Sequence, residues 1–85
     1  MKITGEKGQA NSCGGRIRKL REARGYSQND LAIRLQLAGI NMTQKIISRI
    51  ETGHRVVPDY EIRYLAEALD VSAMYLLGLA DDEKS

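Results

Sequence analysis

Three glycines divide the middle of the chain into short segments, and their spacing limits the length of the helices or strands that the chain can form. Gly25, Gly39 and Gly53 each follow a stretch whose apolar residues recur three or four positions apart. That spacing is typical of a helix with one buried face, and glycine commonly ends a helix because it tolerates a left-handed backbone. No segment shows the alternation expected of a strand. The sequence therefore predicts an all-α fold of short helices.

Polar caps predict where the central two helices begin. Ser27 and Asp30 form the short version of a capping box, so a second helix is expected to start there. Thr43 is the expected N-cap of the third helix. The buried sides are then formed by Leu31, Ala32, Leu35 and Ala38 in the second helix and by Ile46, Ile47 and Ile50 in the third.

Three further helices complete the predicted domain. The first runs from Arg16 to Gly25, the fourth begins at Pro58 with Asp59 available as its cap, and Ser72 caps a short fifth helix. Their apolar residues are Ile17 and Leu20, then Ile62, Leu65, Ala66 and Leu69, then Met74, Leu76 and Leu77. We expect a flexible N-terminal arm over residues 1–14, one domain over 15–79 and a frayed acidic tail over 80–85.

Length and cysteine content narrow the class of protein. Eighty-five residues are enough for one small domain. The single Cys13 lies in a Gly-rich stretch expected to be mobile, and it excludes a fold held by disulfides. No signal peptide or membrane span is recognisable, so the expected location is the cytoplasm, without membrane contact.

Charge is distributed unevenly along the chain. Up to Val57 there are eleven Lys and Arg against four acids, a net charge of +7; from Pro58 onward there are two against seven, a net charge of −5. A basic region of this kind suits a phosphate-bearing partner, because neutralising phosphates releases counterions. Ordinary solvated charge is the alternative explanation.

Residues for catalysis or metal binding are not apparent. His54 is the only histidine and has no cysteine, histidine or paired carboxylate at ligand spacing. No nucleophile with a matching base is present, and Gly14–Gly15 is too short to form a phosphate-binding loop. We therefore expect no enzymatic activity, no metal and no cofactor.

A series of short motifs resembles the phage repressor/Cro-type helix-turn-helix family, also called the xenobiotic-response-element family. The motifs are RKLR at residues 18–21, GYSQ at 25–28, LA at 31–32, ISRIETG at 47–53, LAEALDVS at 65–72 and LL at 76–77. The similarity runs from Arg16 to Leu79, three-quarters of the chain. It implies a five-helix repressor-like domain in which the second and third helices form the helix-turn-helix.

The resemblance also implies roles for individual residues. The third helix would read base edges in the major groove of double-stranded DNA through Gln44, Lys45, Ser48 and Arg49. The phosphate contacts would be made by Gln28, Thr43, His54 and Arg55, with Gln28 also bracing Gln44. Arg21 and Glu51 match the family's buried ion pair, which is structural. The family further implies a transcriptional regulator, expected to be a repressor that binds a two-fold operator as a homodimer and is associated with the bacterial nucleoid when bound.

The chain departs from the family pattern between the second and third helices. Gln28 and Glu51 are 23 positions apart, five more than is usual, and the additional residues fall around 36–41. We expect Leu37, Ile40 and Met42 to pack this longer connection.

A second hypothesis belongs to a different class. The fold could serve as a protein-interaction module, antitoxin-like or an adaptor, with Tyr75, Leu76, Leu77 and Leu79 as an exposed C-terminal patch.

Overall fold

The computed structural model describes residues 10–84, in which the chain forms five helices and no strand. The helices are α1 (Gly14–Ala23), α2 (Gln28–Leu37), α3 (Gln44–Glu51), α4 (Asp59–Leu69) and α5 (Ala73–Leu76). The predicted all-α class and the number of helices are confirmed. Within the same residues, no helix has the length and apolar character that crossing a bilayer would need.

The predicted caps form at three helix starts. Ser27 Oγ accepts from the backbone N–H of Asp30, whose carboxylate accepts in return from the N–H of Ser27, which completes the capping box. Thr43 and Ser72 accept in the same way at α3 and α5. At α4 the structure differs from the prediction, because Pro58 is the N-cap and Asp59 is the first helical residue.

One apolar core joins the helices. Ile17 of α1, Leu31 and Leu35 of α2, Ile47 and Ile50 of α3, and Leu65 and Leu69 of α4 are fully buried in it. Helix α3 packs against both α1 and α2, and α4 against α1, α2 and α5. Ile46 is only half-buried at the edge of this core. Within residues 10–84, Gln44, Lys45 and Arg49 on the outer side of α3 are exposed.

The connection between α2 and α3 is ordered although it is long. Gly39, with φ +106°, ends α2, and the next residue donates its N–H to the carbonyl of Leu35. Gln36 Nε2 donates to the carbonyl of Met42 at 2.6 Å. Ile40 and Met42 are buried, as predicted, whereas Leu37 is 84 % exposed and does not pack the connection. Leu37 is instead on the outer face of α2. Ala38, just beyond the end of α2, is also exposed, so its assignment to the buried side was wrong.

The part of the predicted flexible arm (residues 1–14) that the structure describes is packed against the domain. Residues 1–9 of that arm lie outside the described part of the chain. From residue 10 onward the backbone is attached, because Ala10 donates its N–H to the carbonyl of Gly53 at 2.8 Å. Asn11 and Cys13 are buried, and α1 already begins at Gly14. Burial raises the pKa of the Cys13 thiol, which fits a packed side chain and not a mobile one.

The acidic tail is also attached, up to its last described residue. Glu83 accepts the N–H of Ser72 through its carbonyl and pairs with Arg24 through its carboxylate. Lys84 pairs with Asp70 at 2.7 Å, which lowers the pKa of that carboxyl. Glu83 and Lys84 thus contact the rest of the domain, whereas the expected fraying of residues 80–85 stays a prediction, and Ser85 lies outside the described residues.

Candidate nucleic-acid interface

Helix α3 presents polar side chains on the side that faces away from the core. Gln44, Lys45 and Arg49 are exposed and Ser48 is half-buried. The first turn of α3 contains no acidic residue, so the positive end of the helix dipole is not offset there. This face combines amide and cationic donors over two turns of helix.

The two cations on this face are not neutralised by the fold. Within residues 10–84, neither Lys45 nor Arg49 pairs with a carboxylate, whereas Arg18, Arg24 and Lys84 do. The Arg49 guanidinium donates a weak 3.4 Å hydrogen bond to the carbonyl of His54. Both side chains are therefore available to an anionic or hydrogen-bonding partner.

An ion pair connects α1 to the end of α3. Arg21 Nε lies 2.7 Å from Glu51 Oε2, and Arg21 Nη2 lies 3.1 Å from Oε1. The side chains are 11 % and 2 % exposed. The hydrogen bonds that Arg21 donates to Glu51 raise the pKa of the Arg21 guanidinium above its usual value. Arg21 also donates to the carbonyl of Tyr26 at 2.8 Å, so the pair fixes the relative positions of α1, the α1–α2 turn and α3.

Two glutamines continue from this ion pair to the surface. Gln28 Nε2 donates to Glu51 Oε1 at 3.1 Å, and Gln28 Oε1 accepts from Gln44 Nε2 at 2.7 Å. The structure thus brings the first residue of α2 and the first residue of α3 into direct contact. The long connection does not prevent this, because its buried Ile40 and Met42 hold α3 close to α2.

The loop after α3 carries the other two predicted phosphate contacts, in different environments. His54 is exposed, and its Nδ1 lies 2.9 Å from the hydroxyl of Thr52. Arg55 is bound to Glu61 by two hydrogen bonds of 2.6 and 3.0 Å. Glu61 is buried and Arg55 is 29 % exposed, and the pair raises the pKa of Arg55. Arg55 therefore already has a structural role, which the sequence analysis did not assign.

Asn11 is a second residue that sequence reasoning missed. Its Nδ2 donates to the carbonyls of Ile50 and Arg55, at 3.0 and 2.8 Å, and its Oδ1 accepts the N–H of Gly14 at 2.8 Å. One amide thus connects the start of α1, the end of α3 and the loop that follows. No periodic pattern surrounds Asn11, so only the surrounding glycines hinted at a tight approach.

The C-terminal apolar patch is smaller than the sequence suggested. Leu76 is fully buried, and Tyr75 is half-buried with the Arg16 guanidinium 4.8 Å from its ring. Leu77 and Leu79 are exposed, together with Met74.

Comparison with known proteins agrees with this architecture. No curated protein matches the chain. A family model described as a helix-turn-helix domain matches residues 13–74, a range that runs from the last residue before α1 into α5 and includes the α2–α3 pair. The chain belongs to the helix-turn-helix domain family.

Proposed function

We propose that this protein binds double-stranded DNA in a sequence-specific manner, as a small transcriptional regulator of the phage repressor/Cro type. The observation that carries the proposal is the outer face of α3, where Gln44, Lys45 and Arg49 are exposed and the two cations have no carboxylate partner within residues 10–84. In this motif the second helix enters the major groove and its N-terminal residues reach the base edges.

The hydrogen-bonding groups of the α3 side chains match the donors and acceptors that base edges present in the major groove. Gln44 can donate and accept at once, which matches the N6 and N7 edge of adenine, and Arg49 offers the paired donors that guanine O6 and N7 accept. Lys45 and Ser48 complete the proposed base-reading set.

Phosphates would be contacted at the rim of this face. Gln28 has an amide hydrogen beyond the one that it donates to Glu51, and Thr43 and His54 are exposed at the two ends of α3. Arg55 would use the donors that its pair with Glu61 leaves open. Such contacts position a protein on the duplex without reading sequence.

A dimer is the proposed functional unit, because two-fold operators are read by two-fold proteins. The exposed Met74, Leu77 and Leu79 support a self-association surface at the C-terminal end. The protein would then act in the cytoplasm, on the nucleoid, and as a repressor if it excludes polymerase. The alternative, a protein-interaction module, loses support because burial of Leu76 reduces its patch.

The test is a titration of fluorescent duplexes obtained by binding-site selection from random sequences. We expect one preferred duplex, an affinity that falls steeply with salt, and a loss of preference at one base pair in Arg49→Ala. Arg63→Ala is the matched control, since it removes the same charge from the exposed side of α4 and should leave base preference unchanged. Equal binding of all duplexes at moderate salt would refute the proposal.

A further inference from the structure

The two side-chain hydrogen bonds that link Gln44 to Glu51 are donated in one direction, from Gln44 to Gln28 and from Gln28 to Glu51. A carboxylate can only accept, so the amide of Gln28 must turn its NH₂ group towards Glu51. Gln28 Oε1 then points outward and accepts from Gln44 Nε2 at 2.7 Å. This direction follows from the charge on Glu51 and does not depend on how the two ends of an amide are told apart.

The outward groups of Gln44 are fixed as a result. The NH₂ group of Gln44 donates one hydrogen to Gln28 Oε1. Gln44 is left with its own Oε1 as an acceptor and one N–H as a donor. One acceptor beside one donor complements adenine, which offers the N6 amino group and N7. Guanine offers two acceptors at the same edge, and this orientation of Gln44 does not satisfy both.

We propose that Glu51 determines base specificity without touching DNA. Its side chain is 2 % exposed at the Arg21 pair, and it acts as a positioning residue through Gln28 on Gln44. The inference rests on the proposed DNA-binding function and adds to it the origin of one base preference. Arg21 takes part by holding both carboxylate oxygens in place, at 2.7 and 3.1 Å.

Replacing the Glu51 carboxylate by an amide removes the constraint that fixes the orientation of the Gln28 amide. In Glu51→Gln, the residue facing Gln28 can donate as well as accept, so Gln28 can turn over and Gln44 can follow. Gln44 would then present adenine-compatible and guanine-compatible edges in similar amounts.

The experiment measures base preference at every position of the selected duplex for the wild-type chain, Glu51→Gln and Gln28→Met. Gln44→Ala first identifies the base pair that Gln44 reads. At that base pair we expect the wild type to bind the preferred base about tenfold to a hundredfold more tightly than the others. In Glu51→Gln and in Gln28→Met this preference should fall to about threefold or less. Preference at the pair read by Arg49 should stay within about twofold, and the double variant should be no more relaxed than Gln28→Met alone.

Two variants are needed because Glu51→Gln also weakens a buried ion pair. Gln28→Met cuts the connection on the half-buried surface and leaves Arg21 and Glu51 together, so its result does not depend on a weakened fold. A uniform loss of affinity with unchanged preference at the Gln44 position, in both variants, would overturn the inference and leave the proposed function intact. Absence of any preferred duplex for the wild type would overturn the proposed function itself.

Discussion

The backbone of α1 lies close to that of α3 at Gly14, and a single methyl group there should separate the two helices. A Cβ on Gly14 would overlap the carbonyl oxygen of Ile50 and lie 3.0 Å from Asn11 Oδ1. The obstacle is backbone and a buried amide, and neither can turn aside as a flexible side chain could. Gly15 is the natural control, since a Cβ there meets nothing within 4 Å.

The expected effect of Gly14→Ala on the free energy of unfolding is the sum of three contributions. Overpacking against a fixed core costs about 1–3 kcal/mol. Shifting α1 also weakens the hydrogen bonds of Asn11 to Ile50 and Gly14, each worth about 1 kcal/mol. Alanine is favoured over glycine in a helix by about 0.5–1 kcal/mol. We expect Gly14→Ala to destabilise the fold by about 2–3 kcal/mol and Gly15→Ala to stabilise it by about 0.5 kcal/mol.

Urea unfolding followed by helical circular dichroism measures this difference. With a slope of about 1 kcal/mol per molar urea for a small domain, the midpoint of Gly14→Ala should fall by about 2–3 M and that of Gly15→Ala should rise slightly. Equal midpoints for the two variants would show that the α1–α3 contact at Gly14 is not as close as described.

Other consequences concern the caps, the buried thiol and the second ion pair. Cys13 should react with a thiol reagent only as fast as the fold opens, so urea should accelerate the reaction; modification at the rate of a free thiol would contradict its burial. Ser27→Ala should cost about 1 kcal/mol. Hydrogen bonds from the backbone N–H and the side chain of Ser27 lower the pKa of Asp30, so the stabilisation that the Asp30 carboxylate contributes is complete above the ordinary value of 3.8 and is lost as the pH falls through the lowered native pKa. Asp30→Asn, which has no carboxylate to protonate, should therefore lose less stability on acidification than the wild type; identical pH profiles would disprove the assignment. Arg55→Met should lower the free energy of unfolding by about 2–3 kcal/mol, because Glu61 is left buried without its ion-pair partner. The loss is smaller than for a wholly buried pair because the Arg55 side chain is 29 % exposed. An unchanged thermal unfolding midpoint in Arg55→Met would show that the Arg55–Glu61 pair does not contribute to stability.

Local signals account for the parts of the fold that sequence alone predicted. Ser27 and Thr43 act on backbone groups three residues away, and the glycines that follow α1, α2 and α3 donate to carbonyls in the last turns of those helices. Apolar spacing likewise depends only on helix geometry, so Ile47 and Ile50 were assigned to the core correctly.

Contacts between distant residues account for what was missed. Asn11 reaches carbonyls 39 and 44 residues away, and Glu83 returns to Arg24 across 59 residues. No periodicity marks such partners, and an isolated asparagine near a terminus looks the same whether it is free or buried. Arg21 and Glu51 were matched only through the family resemblance, since nothing within either helix indicates a partner in the other.

The proposed function requires that the outer face of α3 reads bases in double-stranded DNA. The most direct test is selection from random duplexes with the wild-type chain, followed by the same selection with Arg49→Ala. We expect one enriched site for the wild type and, for the variant, the same site with its preference lost at a single base pair. Enrichment of the identical site at every position by both proteins, or of no site by the wild type, would contradict it.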